Sequence, residues 1–350
     1  MPELDGLRAL AVGSVLFAHF VPVKYQLALP FGSAGVQLFF VLSGFLITSI
    51  LLRSKDETLS TSLKNFYARR FLRIFPLYYL ALLLCAFTGW MSWGEDLHWH
   101  VFYLSNVYIS KLGHWPDIGG HLWSLSVEEQ YYLIWPLVVL LTSKRNLVRI
   151  TLVAILTSMS LRLAQPWMFP AAKVHVLPFF NLDALGLGGL IACLGPAYVN
   201  TLQYRRQWIG IATIMLTLGW AGKGYDIIWS TPVLHLGMVG LFGVVVARCA
   251  EGINTSMHGT FLRLRWVRRI GMISYGLYLW HKFVPLMVEG VLDHFHASDM
   301  WRNFLLLGHA KGVVFGLSSV VVSVGLSVLV AEMSWRIFEL PINRLKRHFA

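Results

Sequence analysis

Charge is scarce in this 350-residue chain. Asp, Glu, Lys and Arg together make up 13% of it, roughly half the usual ~25% share in a soluble protein. A soluble globule needs more charge to cover its surface, and a disordered chain needs more charge and fewer apolar residues. Cysteine is scarce too. Cys85, Cys193 and Cys249 are the three present, too few for a secreted disulfide scaffold and without a C-x-x-C pair. Each lies in or at the end of an apolar run, where a small packing residue is expected. Acids are the rarer charges, 17 against 29 basic residues, for a net charge of +12.

What the chain does contain is apolar residue, 56% of the total, with a mean hydropathy of +0.61. This composition reads as an all-α polytopic membrane protein. Apolar stretches fall near 4–23, 33–52, 71–92, 122–142, 147–164, 175–194, 206–222, 229–249, 270–290 and 310–335. They predict about ten spans in a single domain, 1–350. Ten spans at ~20 residues each leave roughly 150 residues for loops and tails, too few for a second large soluble domain. The first run follows Glu3 and Asp5 rather than basic residues, so a retained helix is expected there and not a signal peptide. An even count puts both termini on one side. That assignment places 21 of the 29 Lys and Arg on the side of the termini and eight opposite, which predicts cytoplasmic termini. The basic residues then serve as anchors facing anionic lipid, and a nucleic-acid partner is not expected.

The largest loop on the sparse side, 93–121, holds His98, His100, His114 and His121 with Trp93, Trp99 and Trp115. It lacks Cys and metal-ligand spacing, so no metal is expected. Interfacial aromatics or a sugar-binding surface are both open there. Gly186, Gly188 and Gly189 fall inside an apolar run, where close helix packing explains them better than a phosphate loop.

Ionisable residues inside spans are costly and usually functional. Arg8 and His19 are eleven residues apart, about 20° past three full turns and ~16 Å along one helix face. Asp5 lies near the same line. They form either a terminal ion pair plus a hydrogen-bonded core histidine, or a functional face. In His121–Tyr132, Trp123 and Ser124 precede the adjacent acids Glu128 and Glu129. Capping by Ser124 or Ser126 explains part of this acid preference, but not two acids so far into the helix. Arg70 and Arg73 share a helix face and either anchor the span or grip phosphates. Ser274, Tyr278 and His281 fall on a common face, and Asp183 adds one more buried carboxylate after Asn181.

In chain order, these blocks resemble the acyltransferase-3 family of integral membrane O-acyltransferases. Arg8 and His19 match its R-x10-H signature, and Phe39–Ile47 looks like its second helix. Arg70 and Arg73 match its R-x-x-R, and Trp123–Tyr132 its S-x-E-E-Q-x-Y block. Ile273–His281 is similar to its late S-Y-x-x-Y-x-x-H stretch, and Glu339-Leu340-Pro341 to its E-x-P ending. One departure is Asn181 before Leu182-Asp183, where the family often has Arg. The resemblance implies ten helices, a cytoplasmic acyl-CoA donor and an acceptor hydroxyl on an envelope or exported glycan. It also implies His19 as the essential catalytic residue and Arg70 and Arg73 on the donor side. A stand-alone form is expected, without the fused extracytoplasmic domain of some members.

The reading that follows is an O-acetyltransferase of the bacterial inner membrane. It moves an acetyl group from acetyl-CoA to a carbohydrate or glycolipid within the lipid bilayer. His19 is expected to act as general base, with Glu128 or Glu129 orienting it; an acyl-His19 route is the alternative. Arg8, Arg70, Arg73 and Tyr275 are assigned to the donor. Asp5, Trp123, Ser124, Tyr278, His281 and Asp183 are assigned to the acceptor. The rival classes are a proton-coupled transporter and a lipid or glycan flippase.

Overall fold

The computed structural model describes residues 1–22, 26, 30–169, 172–225, 227–252, 257–294 and 313–349. Lys24, Arg302 and Lys311 of the basic count, and the start of the 310–335 run, lie outside the described residues. The apolar runs form helices: Pro2–Phe20 (α1), Phe31–Arg53 (α2), Leu59–Phe87 (α3), Trp123–Leu141 (α4), Lys144–Met168 (α5), Leu182–Leu194 (α6), Leu202–Gly224 (α7) and Ser230–Glu251 (α8). The run at 270–290 is divided into Arg265–Met272 (α9), Ser274–Trp280 (α10) and Val284–His294 (α11), and Val313–Ser334 (α12) follows.

The architecture of the described residues is all-α, but the expected ten spans are not found among them. Among the described residues, five helices are long and apolar enough to cross a membrane: Phe31–Asp56, Leu59–Phe87, Lys144–Met168, Ser230–Glu251 and Ser319–Phe349. The other runs fall short for physical reasons. α1 carries Glu3, Asp5 and Arg8 within 19 residues. α6 has only 13 residues. α4 opens on the polar stretch that contains Glu128 and Glu129. α7 has Arg205, Arg206 and Lys223 near its ends, with glycines and threonines between. The 270–290 run is broken at Ile273 and again at the turn His281–Phe283. The placement of both termini on one side rested on the even count of ten and falls with it. The chain is an integral membrane protein, and side chains such as Leu133 and Ile134 of α4 and Leu156 of α5 are exposed, as lipid-facing positions would be.

α2 lies at the centre, packed by α1, α4, α6 and α8. Small residues allow this closeness. A Cβ at Gly44 would collide with the Leu185 carbonyl, and one at Gly188 with the Val41 carbonyl, so α2 and α6 meet backbone to backbone. A Cβ at Gly271 would likewise strike the Asp5 carbonyl. That contact docks α9 against the start of α1 and brings the broken segment after it, α10, alongside the Arg8–His19 face.

Candidate active site

A cavity of about 190 Å³ opens among α1, α2, α3, α4 and α10. Arg8 reaches it with its Nη1 2.7 Å from Asp5 Oδ1. Arg70 and Arg73, half-buried one turn apart on α3, also line it. Among the described residues neither has a carboxylate or hydrogen-bond partner. The Arg70 guanidinium instead lies 4.8 Å from the centre of the Tyr132 ring, an attraction to the ring face that leaves its N–H groups free. Glu128 Oε1 accepts a 2.6 Å bond from Ser43 Oγ, which in turn accepts from Tyr132 OH at 3.2 Å. This chain fixes the ring under Arg70. Glu129 lines the same cavity with no hydrogen-bond partner among the described residues.

The far wall is α10. Tyr275 OH donates to the Ile74 carbonyl at 2.8 Å, tying α10 to α3. Tyr278 OH donates to the His121 carbonyl at 2.8 Å and stands 2.5 Å from Ser124 Oγ. With the phenol proton committed to a carbonyl, Ser124 supplies the hydrogen at the second contact. Buried Glu339, of the E-x-P ending, supports this wall from behind. It accepts from Ser334 Oγ at 3.2 Å, and a Cβ on Gly276 would sit 2.9 Å from its Oε1.

A second cavity, about 520 Å³, lies toward the other end of α1. Val36 and Tyr278 line both cavities, so the two abut there. His19 opens onto the second. Its Nδ1 is 2.9 Å from the Val15 carbonyl. A carbonyl only accepts, so Nδ1 carries the ring proton and Nε2 presents a lone pair. Behind it the rings of His281 and His121 follow at centroid distances of 4.9 and 5.0 Å. Each is held the same way, His281 Nδ1 by the Tyr278 carbonyl at 2.6 Å and His121 Nε2 by the Leu279 carbonyl at 3.0 Å. Among the described residues, no group of three or more His, Cys, Asp or Glu is placed to hold a metal ion.

The wall opposite is a buried polar network. Asp183, 1% exposed, accepts from Arg162 Nε at 3.2 Å and from His235 Nε2 at 2.8 Å. Arg162 also bonds the Phe180 carbonyl. His235 Nδ1 then accepts from Gln37 Nε2 at 2.5 Å. A carboxylate so buried needs partners of this kind to remain charged.

The structure brings Arg8, Arg70, Arg73, Glu128, Glu129, Ser124, Tyr275 and Tyr278 together around the first cavity. His19 and Trp123 line the second, His281 stands behind His19, and Asp183 lies behind the second cavity's wall. Asp5 serves as the partner of Arg8. His19 is oriented by a backbone carbonyl, whereas Glu128 is engaged with Ser43 in the other cavity. Ser43, Gln37, Arg162, His235 and Lys282 are additions to the set read from sequence. A signal existed for Arg162 and His235, ionisable side chains at apolar-run positions. Arg162 reads only as an outer basic residue, and a lone histidine such as His235 reads as an ordinary core group.

A family profile described as an acyltransferase domain matches residues 1–332. The chain is similar to a peptidoglycan O-acetyltransferase, OatA, of Listeria monocytogenes, at 28% identity over 376 residues, with 98% of this chain and 56% of the relative covered. It is similar also to an O-acetyltransferase OatA of Staphylococcus aureus, at 27% identity over 371 residues, covering 98% of this chain and 57% of the relative. The chain thus spans little more than half the length of these curated relatives. No solved structure matches. The relatives are bacterial, consistent with an integral bacterial membrane protein. With the profile running through nearly all of the chain and both cavities, the protein belongs to the acyltransferase-3 family.

Proposed function

We propose that this chain is an O-acetyltransferase that takes acetyl-CoA at the Arg70/Arg73 cavity and an envelope-glycan hydroxyl at the His19 cavity. One observation carries this reading: the two cavities abut at Val36 and Tyr278, with the guanidinium groups of Arg70 and Arg73 in one and Nε2 of His19 in the other, all without a hydrogen-bond partner among the described residues. Arg70 and Arg73 suit the phosphates of the nucleotide, since guanidinium groups bind phosphate through paired, charge-assisted hydrogen bonds. Basic residues such as Arg53, Lys55 and Lys64 lie toward their end of the bundle. That is the end where the positive-inside rule places the cytosol, and with it the donor.

The donor supplies an activated acetyl group as a thioester. His19 Nε2 takes the proton of the acceptor hydroxyl while Nδ1 stays bonded to the Val15 carbonyl, which spreads the imidazolium charge onto the backbone dipole. The acceptor oxygen bonds to the thioester carbonyl carbon, the carbon–sulfur bond breaks, and CoA leaves as the thiol by taking the proton that His19 accepted, which returns the imidazole to its neutral form. Tyr278, held by the His121 carbonyl and Ser124, forms the shared wall past which the acetyl carbon approaches. The Ser43–Glu128–Tyr132 chain keeps Arg70 in place. The experiment is release of free CoA by the purified protein given acetyl-CoA and an envelope glycan, with mass spectrometry of the product. CoA release coupled to an acetyl increment on the glycan supports the reading. Movement of either substrate across a vesicle without CoA release would replace it with a carrier.

A further inference from the structure

The second cavity has one sign of charge. Arg162, Lys223 and Lys282 line it with four histidine rings, and among the described residues no Asp or Glu does. The donor-side cavity differs, because Glu128 and Glu129 stand among its arginines. Asp183 lies behind the wall of the second cavity, its Oδ2 taken by Arg162 and His235. Arg162 keeps Nη1 without a partner among the described residues, and half-buried Lys282 has no ion-pair or hydrogen-bond partner among them. Lys282 follows His281 in the turn that breaks the helix, so backbone geometry holds it beside the histidine row. A concave site of one sign within low-dielectric walls concentrates ligands of the opposite sign. A half-buried cation without a counter-ion is costly unless a ligand supplies one. Trp115 and Trp123 line the same space with ring centres 6.4 Å apart, apolar faces of the kind on which the C–H face of a sugar ring packs.

We propose that the acceptor is an acidic sugar, one that bears a carboxylate or a phosphate, bound with its anion against Lys282 and Arg162 and a hydroxyl at His19. This rests on the acetyltransferase reading and narrows its substrate class. It is tested with the full chain in phosphatidylcholine nanodiscs, acetyl-CoA, and acceptors in matched sets: methyl glucuronide, glucose 1-phosphate and the neutral methyl glucoside. Acetylated product is read by mass spectrometry, and sugar binding separately by saturation-transfer NMR. An acidic sugar should exceed the neutral one at least about tenfold in kcat/KM, the scale of one charge-assisted hydrogen bond. Preference for the glucuronide alone assigns a carboxylate, and for the sugar phosphate alone a phosphate. Lys282→Gln should bring the ratio close to one and Lys282→Arg should keep it. Lys282 is chosen because Arg162 also satisfies a buried carboxylate, and its loss endangers the fold. Equal use of acidic and neutral sugars, or a preference that Lys282→Gln does not change, overturns the proposal even when acetyl transfer is intact. If no sugar is acetylated, binding decides. Acid-selective binding lost in Lys282→Gln upholds the charged site and counts against the transferase reading alone, and equal or undetectable binding of all three overturns the proposal.

Discussion

His19→Gln tests the proton transfer proposed for His19. The wild-type ring has Nδ1–H bonded to the Val15 carbonyl at 2.9 Å, which leaves Nε2 as the basic atom on the cavity side. Glutamine has nearly the same reach and can still donate to that carbonyl, so the helix end and the cavity wall are retained. Its amide cannot take a proton. Loss of a positioned general base costs about 10²–10⁴-fold in rate, or roughly 3–5 kcal/mol of barrier. The loss should appear in kcat and kcat/KM together, with the KM for acetyl-CoA little changed, because Arg70 and Arg73, proposed to hold the donor, lie in the other cavity. The assay is CoA release at saturating donor and varied acceptor, with detergent-stable protein yield as the control for folding. A pH profile adds a second reading: the wild-type rate should fall about tenfold per unit of pH once Nε2 is protonated, and the residual Gln activity should lose that acid limb. Incubation with labelled donor alone should leave no acetyl group on the protein, as direct transfer requires. Near-normal turnover by the Gln variant would remove His19 from the chemistry and refute the reasoning.

Arg70→Ala and Arg73→Ala should each raise the KM for acetyl-CoA about tenfold, with the wild-type advantage blunted at high salt; an unchanged KM at normal expression would return both residues to membrane anchoring. Ser43→Ala removes the hydroxyl between Glu128 and Tyr132 and should raise the donor KM by a smaller factor, about threefold, whereas a larger effect on acceptor KM would contradict its place on the donor side. Asp183→Ala should destabilise the protein by about 3–5 kcal/mol, because it leaves Arg162 buried without its partner, and a thermal unfolding midpoint equal to wild type would show the network to be dispensable. Gly188→Val should abolish folded yield, since its side chain meets the Val41 backbone, and recovery of folded, active protein would rule out the close α2–α6 approach.

Helicity and embedding in the membrane are legible in the chain's local pattern, because helix formation and burial in lipid follow from local composition and hydrophobic runs. Ordered local blocks also carried the family, and spacing alone put Arg8 with His19 and Arg70 with Arg73 on common helix faces. The shortfall in spans follows in part from composition, in the charged and polar residues of α1, α4 and α7, while the division of the 270–290 run shows only in the tertiary structure. The breaks at Ile273 and at His281–Phe283 accompany the packing of α9 and α10 on α1 and of α10 on α3, and a hydropathy count carries no trace of that packing. The tertiary structure also decided the partners. His19 is oriented by its own helix at Val15, four residues back, rather than by a carboxylate of α4. Gln37, Arg162, Asp183 and His235 form one network although Gln37 and His235 are 198 residues apart. Side-chain pairing of this kind depends on which helices touch, and that is set by close approaches at residues such as Gly44, Gly188 and Gly271. A glycine in an apolar run permits such an approach, but only the assembled bundle determines which backbone lies against it.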